Sequence, residues 1–200
     1  YCELLSGYGD ANKISGELFR TEAANMELFG YGTKAFTLSL VENAVSVSCG
    51  RVTGNEIGCI VAMGKELLSL PATPLSGVVE ALRRLTGVRK AVFTKGELLD
   101  QQNKLRRSGL EPFFDHVEIV ADKTEEAYRG LCRRMGIEPG RLLMVGNSFR
   151  SDIAPALADG AWGVHIPFHV TWQLEVTREF DHERLVRIED ISELSACLAT

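Results

Sequence analysis

The chain has 200 residues and a mass of 22.0 kDa, room for one domain with a modest insert or for two small domains. It is 45% hydrophobic and 24% charged, with 22 basic against 27 acidic residues and a net charge of −5. That balance excludes a disordered chain and supplies no basic stripe for nucleic acid, and the longest apolar stretch, Ala35 to Cys49, is interrupted by Glu42 and Asn43, so nothing reads as membrane-spanning.

Before Pro71 the apolar residues recur at helical spacing. Leu18, Leu28 and Phe29 mark one helix. Phe36, Leu40, Val41, Ala44 and Val47 mark a second segment, whose β-branched residues weaken the helical reading. Ile57, Ile60, Val61, Gly64, Leu67 and Leu68 form an amphipathic stripe, with Gly50 and Gly54 punctuating the connection before it. Residues 1–73 therefore read as an all-helical unit of about three helices.

From Pro74 onward helices alternate with short apolar strands, which defines the second expected domain, residues 74–200. A helix through Val78, Leu82 and Leu85 stops at Gly87. Lys90–Thr94 reads as a buried strand, and Leu98, Gln102 and Leu105 as a helix ending near Gly109. Val117–Val120 is a strand. Thr124 caps a helix with the stripe Ala127, Tyr128, Leu131 and Met135, and Gly136 closes it. Leu142–Val145 and Trp162–Ile166 are strands on either side of a short helix through Ile153, Ala156 and Leu157. Leu185–Ile188 and a helix over Ile191–Leu198 end the chain. Strands alternating with helices in this way predict βαβ units and a parallel sheet covered on both faces.

The five cysteines, Cys2, Cys49, Cys59, Cys132 and Cys197, form no C-x-x-C pair and are odd in number. They read as free thiols in a reducing compartment, with Cys132 as an apolar filler. No stretch reads as a secretory signal, so the expected location is cytoplasmic. The sequence opens on Tyr1 rather than Met.

In open parallel sheets ligands bind beyond the carboxyl ends of the strands. Here those ends offer Thr94-Lys95-Gly96, Asp122-Lys123-Thr124, Gly146-Asn147-Ser148 followed by Ser151-Asp152, and Pro167-Phe168-His169. Hydroxyls and lysines suit an anionic substrate. A carboxylate and an amide oxygen suit a hard cation such as Mg²⁺. His165 and His169 have i, i+4 spacing, but Pro167 between them argues against a helical metal pair.

Thr94 at a strand end, Lys123 opening a helix, and Gly146-Asn147-Ser148-Phe149-Arg150-Ser151-Asp152 after a later strand resemble motifs two, three and four of the haloacid dehalogenase superfamily, in the family's order and spacing. The resemblance covers residues 75–170, is most similar to the phosphatase-type members, and makes the first 70 residues a helical cap. It implies an α/β fold: a Rossmann-like parallel core with an all-helical cap. It also implies that Thr94 bonds a phosphoryl oxygen, that Lys123 neutralises charge, and that Asn147 and Asp152 hold Mg²⁺. Lys95 and Gly96 then fall in substrate-binding positions, Lys104 on the surface. Tyr31 and Lys34, between cap helices, fall where a cap would read a small phosphorylated substrate. Neither nucleic acid nor membrane is an expected partner.

The family's first motif, D-x-D on an N-terminal central strand, is absent: none of the eight aspartates (10, 100, 115, 122, 152, 159, 181, 190) opens one. The attacking carboxylate of an aspartyl-phosphate mechanism and its strand are thus expected to be missing, leaving a fragment that is inactive alone. The other expectations are a metal-independent dehalogenase of the same superfamily and a non-catalytic pseudo-hydrolase that binds a partner or metabolite. A response-regulator or flavodoxin-like domain fits less well, because those folds open directly on a strand.

Overall fold

Side-chain caps set the helix boundaries in the first part of the chain. In the computed structural model, which describes residues 1–170 and 172–197, Asp10 accepts from Lys13 N at 2.9 Å and opens α1 (Ala11–Phe29). Thr53 and Glu56 form a reciprocal capping box that opens α3 (Gly54–Ser69). Between them lies α2 (Thr33–Val47). Its β-branched content does not prevent a helix, because Leu40, Ala44 and Val47 recur at helical spacing and are buried. Its hydroxyls also bond back to the preceding turn: Thr37 Oγ1 donates to Thr33 O at 2.7 Å and Ser39 Oγ to Ala35 O at 3.2 Å. Burial overrides local propensity here.

These helices pack Leu5, Ile14, Leu40, Ala44, Val47 and Ile60 into one core. Tyr1 closes it by donating to Leu40 O at 2.8 Å and Asn43 Oδ1 at 2.6 Å. Gly64 permits close approach of α2 and α3, since a Cβ there would lie 2.3 Å from Thr37 Oγ1. The unit comprises Tyr1–Ala72 together with Gly96–Lys104.

The second unit comprises Thr73–Lys95 and the chain from Leu105 onward. Its elements are α4 (Val78–Arg84), β1 (Ala91–Lys95), the end of α5 (Leu98–Ser108), β2 (His116–Val120), α6 (Glu125–Met135), β3 (Leu143–Gly146), α7 (Ala154–Ala158), β4 (Trp162–His165), β5 (Leu185–Arg187) and α8 (Leu194–Cys197). Every strand pairing is parallel, as the alternating pattern predicts. β1 pairs with β2, placing Thr94 opposite Ile119. β3 pairs with β4, placing Gly146 opposite His165, and β4 pairs with β5. These are two sheets: among the described residues β1 has β2 as its one strand neighbour, and β3 has β4.

Phe93, Tyr128, Leu131, Ala156 and Ala161 form one core cluster of this unit, and Val164, Ile188 and Leu194 another. Phe93 and Tyr128 meet edge to face with centroids 4.8 Å apart. Thr124 caps α6, accepting from Ala127 N at 3.2 Å, and Gly136 ends it in the left-handed conformation, both as expected. Two features depart from the expectation. A π-helical turn, Phe149–Ile153, precedes α7. The final helix is split into a 3-10 turn, Ile191–Glu193, and α8; Leu198, which the expected helix included, lies outside the described residues. Trp162 begins β4, the middle strand of its sheet, and is 43% exposed.

Candidate active site

The carboxyl ends of β1 and β3 and the loop after β2 converge on one buried polar cluster. Thr94, the penultimate residue of β1, is half-buried. Lys95 ends that strand and is 15% exposed along its side chain; its Nζ donates to Ser151 Oγ at 2.7 Å and pairs with the Glu175 carboxylate. Asp122 Oδ1 stands 3.8 Å from the same ammonium.

Lys123 follows β2. Its side chain is 11% exposed, its Nζ lies 2.6 Å from Asp152 Oδ1, and it also sits 5.6 Å from the centroid of the Phe93 ring. The Asp152 carboxylate is equally buried. Its second oxygen accepts from Ser148 N at 3.0 Å. Gly146 makes room for it: a Cβ at that position would lie 2.2 Å from Asp152 Oδ2.

Local sequence explains the unusual turn that carries Asp152. Ser148 Oγ accepts from Ser151 N at 3.0 Å and caps the turn, so the cap serine is Ser148. Ser148 O accepts from both Asp152 N (2.8 Å) and Ile153 N (3.2 Å), which widens the turn to the π form. Pro155 has no N–H to offer Ser151 O. Tyr128, fully buried on α6, supplies a donor instead: its hydroxyl lies 3.2 Å from Ser151 O and 2.9 Å from Asp152 O. Burial, and secondarily the Asp152 charge, push the Tyr128 phenol well above its ordinary range, so it acts as a neutral donor.

Asn147 is exposed. Its backbone carbonyl accepts from His165 Nε2 at 3.1 Å, which places the imidazole proton on Nε2. Gly96, with φ of 137°, Tyr31 and Lys34 belong to the helical unit. There Lys34 pairs with Glu97 at 3.3 Å, and the buried Asp100 accepts from Thr33 Oγ1 at 3.2 Å and from Lys104 Nζ at 2.9 Å. Lys104, expected on the surface, keeps a side chain 41% exposed and pairs there with Asp100.

Of the residues singled out from sequence, Lys95, Lys123 and Asp152 meet in one cluster. The structure adds two that carried no recognisable signal as site residues, Glu175 and Tyr128, which had read as core, and gives Ser151, already among the strand-end residues, a bridging hydroxyl. In a water-poor site these charges act more strongly than on a surface. As they stand, each buried ammonium is matched by a carboxylate. Glu175 is the clearest case: burial raises its carboxyl, but hydrogen bonds from Lys95, Ser148 and Ser151 outweigh that and hold it below the usual range.

A profile of the haloacid dehalogenase-like hydrolases matches residues 13–158, most of the chain. The chain belongs to the haloacid dehalogenase-like hydrolase family. A haloacid dehalogenase-like family hydrolase from Xanthomonas campestris has a similar structure, with a TM-score of 0.88 at 32% identity over 98% of this chain and 79% of that one. The glyceraldehyde 3-phosphate phosphatase of Methanothermobacter thermautotrophicus is 32% identical over 117 residues, 56% of this chain and 52% of that protein. The chain thus spans about half the length of this curated relative. The L-2-haloacid dehalogenase of Xanthobacter autotrophicus shares the fold, with a TM-score of 0.67 at 15% identity over 94% of this chain and 86% of that one. Among the described residues, no helix is long and apolar enough to cross a membrane.

Proposed function

We propose that this haloacid dehalogenase-like hydrolase acts as a Mg²⁺-dependent phosphatase on a small phosphorylated metabolite, in a cytoplasmic setting. The observation that carries the reading is the cluster at the carboxyl ends of β1 and β3, where Lys95, Lys123 and buried Asp152 meet in a member of a hydrolase family; Thr94 stands one residue before Lys95 on β1. A phosphatase relative at 32% identity supports the same class.

In this reading Thr94 donates to a phosphoryl oxygen and Lys123 balances charge as the bond to phosphorus breaks; positioning and electrostatics are most of such catalysis. The donor set fits Mg²⁺, which commonly takes one or two carboxylates with water and phosphate oxygens. Asp152, with the amide oxygen of Asn147, would hold it, and the ion would supply charge neutralisation at the phosphoryl group. The attacking carboxylate of an aspartyl-phosphate route is not among this sequence's aspartates, none of which opens a D-x-D. We assign it to a strand that would add to the open edges of β1 and β3. The helical unit serves as the cap and carries Tyr31, Lys34 and Gly96 as substrate contacts, and Lys95, at the end of β1, is a further one.

The test compares this chain with the chain expressed together with any coding sequence upstream of Tyr1. Phosphate release from glyceraldehyde 3-phosphate and related esters, and halide release from 2-haloacids, are measured with Mg²⁺ and with chelator. Mg²⁺-dependent phosphate release is expected, from the extended protein and not from the 200 residues alone. Halide release indifferent to chelator would replace this reading with the dehalogenase one. Phosphate binding without turnover in either protein would favour a pseudo-hydrolase.

A further inference from the structure

We propose that Glu175 is a positioning residue of this site: its carboxylate gathers Lys95, Ser148 and Ser151 and so clasps the end of β1 to the turn that carries Asp152. What the clasp positions rests on the phosphatase reading; that the clasp exists does not.

Glu175 lies on a short 3-10 turn, Gln173–Glu175, in the segment between β4 and β5. Nothing in that segment carries strand or long-helix periodicity, yet the side chain is 11% exposed. Its partners come from two sheets. Lys95 belongs to β1, and Ser148 and Ser151 follow β3. Among the described residues β1 and β3 share no ladder hydrogen bonds. Side chains tie the two carboxyl ends together in this chain, and the Glu175 carboxylate joins them through Lys95 on one side and Ser148 and Ser151 on the other.

The direction of each hydrogen bond is fixed by what each group can give. Lys95 has only protons to donate, and Glu175 when ionised only accepts. Ser151 Oγ accepts from Lys95 at 2.7 Å and passes its own proton to Glu175 Oε2 at 2.6 Å. Ser148 Oγ accepts from Ser151 N at 3.0 Å and gives its proton to the same carboxylate oxygen. Glu175 thereby orients the hydroxyl that caps the π turn, and the turn in turn presents Asp152 to Lys123. Arg150 donates to Leu174 O, a second tie between this segment and the same turn. An amide in place of the carboxylate removes the charge that Lys95 pairs with, and its N–H₂ can sit beside Ser148 and Ser151 only if both hydroxyls turn their protons away, so Gln loses the charge-assisted bond and the orientation of the capping serine.

The test is native-state lysine acylation of the 200-residue chain, read residue by residue by mass spectrometry. Lys90, whose Nζ donates to Leu85 O at 2.8 Å away from the clasp, is the internal reference. Glu175→Gln is expected to speed acylation of Lys95 about tenfold, the scale of losing one charge-assisted hydrogen bond. Lys123 should follow by a smaller factor, Lys90 should not change, and Glu175→Asp should restore most of the protection. Backbone amide exchange at Ser151–Ile153 should accelerate in Glu175→Gln and recover in Glu175→Asp. Acylation of Lys95 at the wild-type rate in Glu175→Gln would overturn the proposal. So would an equal rise at all three lysines in both variants, which would mean general loosening. In the active extended protein the expected effect of Glu175→Gln is a lower kcat with KM little changed; an unaltered kcat would overturn the positioning role. Absence of phosphatase activity in the wild type would count against the preceding reading alone, because acylation of Lys95 is read without turnover.

Discussion

Replacing Gly146 with alanine should expel the Asp152 carboxylate from its place. The added Cβ would lie 2.2 Å from Oδ2, 2.4 Å from Cγ and 2.6 Å from Cβ of Asp152, against 3.4–4 Å for ordinary contact. Relief requires a shift of about 1 Å, which forfeits the 2.6 Å pairing with Lys123 and the 3.0 Å bond from Ser148 N. Two effects compete. Gly146 has no positive φ, so alanine would on backbone grounds stabilise the fold by about 0.4–1 kcal/mol. Overpacking costs about 1–3 kcal/mol, and separating a buried ion pair adds to it. The steric and electrostatic losses win, for a net destabilisation of about 2–3 kcal/mol. With a urea slope of about 1–3 kcal/mol/M, the midpoint should fall by about 1–2 M. Tryptophan fluorescence is the appropriate probe, because Trp162 and Trp172, the two tryptophans, lie in the unit that holds the site, so the transition of the helical unit does not obscure it. An unchanged or raised midpoint would refute the placement of Asp152 against the end of β3.

Tyr128→Phe keeps the ring and its edge-to-face contact with Phe93 but withdraws the donor from Ser151 O and Asp152 O; the expected loss is about 1–3 kcal/mol in the same urea experiment, with exchange of the 148–153 amides accelerated. The Glu175 carboxyl is depressed in the folded state, so its contribution is complete above the ordinary glutamate range and disappears as pH falls through the depressed value. The groups facing it are Lys95, Ser148 and Ser151, with Asp122 beyond Lys95. Amide exchange in the turn, corrected for intrinsic rates, should therefore show an acid-side loss of protection that Glu175→Gln lacks.

Much of the α/β unit was legible because its parallel strands are short apolar runs between helical stripes, and because Thr124 and Gly136 mark the ends of α6. The convergence of Lys95, Lys123 and Asp152 was legible from their order along the chain at strand ends. Glu175 was not: it follows no strand, sits on no periodic face, and gains its meaning from partners far away in sequence, on β1 and after β3. The π turn was hidden for a related reason, since it depends on Ser148 O taking two donors and on Tyr128 replacing the N–H that Pro155 lacks. α2 illustrates the opposite case, where β-branched residues blurred a helix that core packing made secure. Asn147 read as a side-chain ligand, and the contact found for it is through its carbonyl, to His165.

The most direct measurement of the central claim is phosphate release by the extended protein carrying Thr94→Ala or Lys123→Ala, with the fold of each variant checked by tryptophan fluorescence. The account predicts folded proteins whose kcat/KM falls by about 10²–10³, the scale of losing one preorganised group that stabilises developing charge. Folded variants that hydrolyse phosphate esters as the wild type does would contradict it.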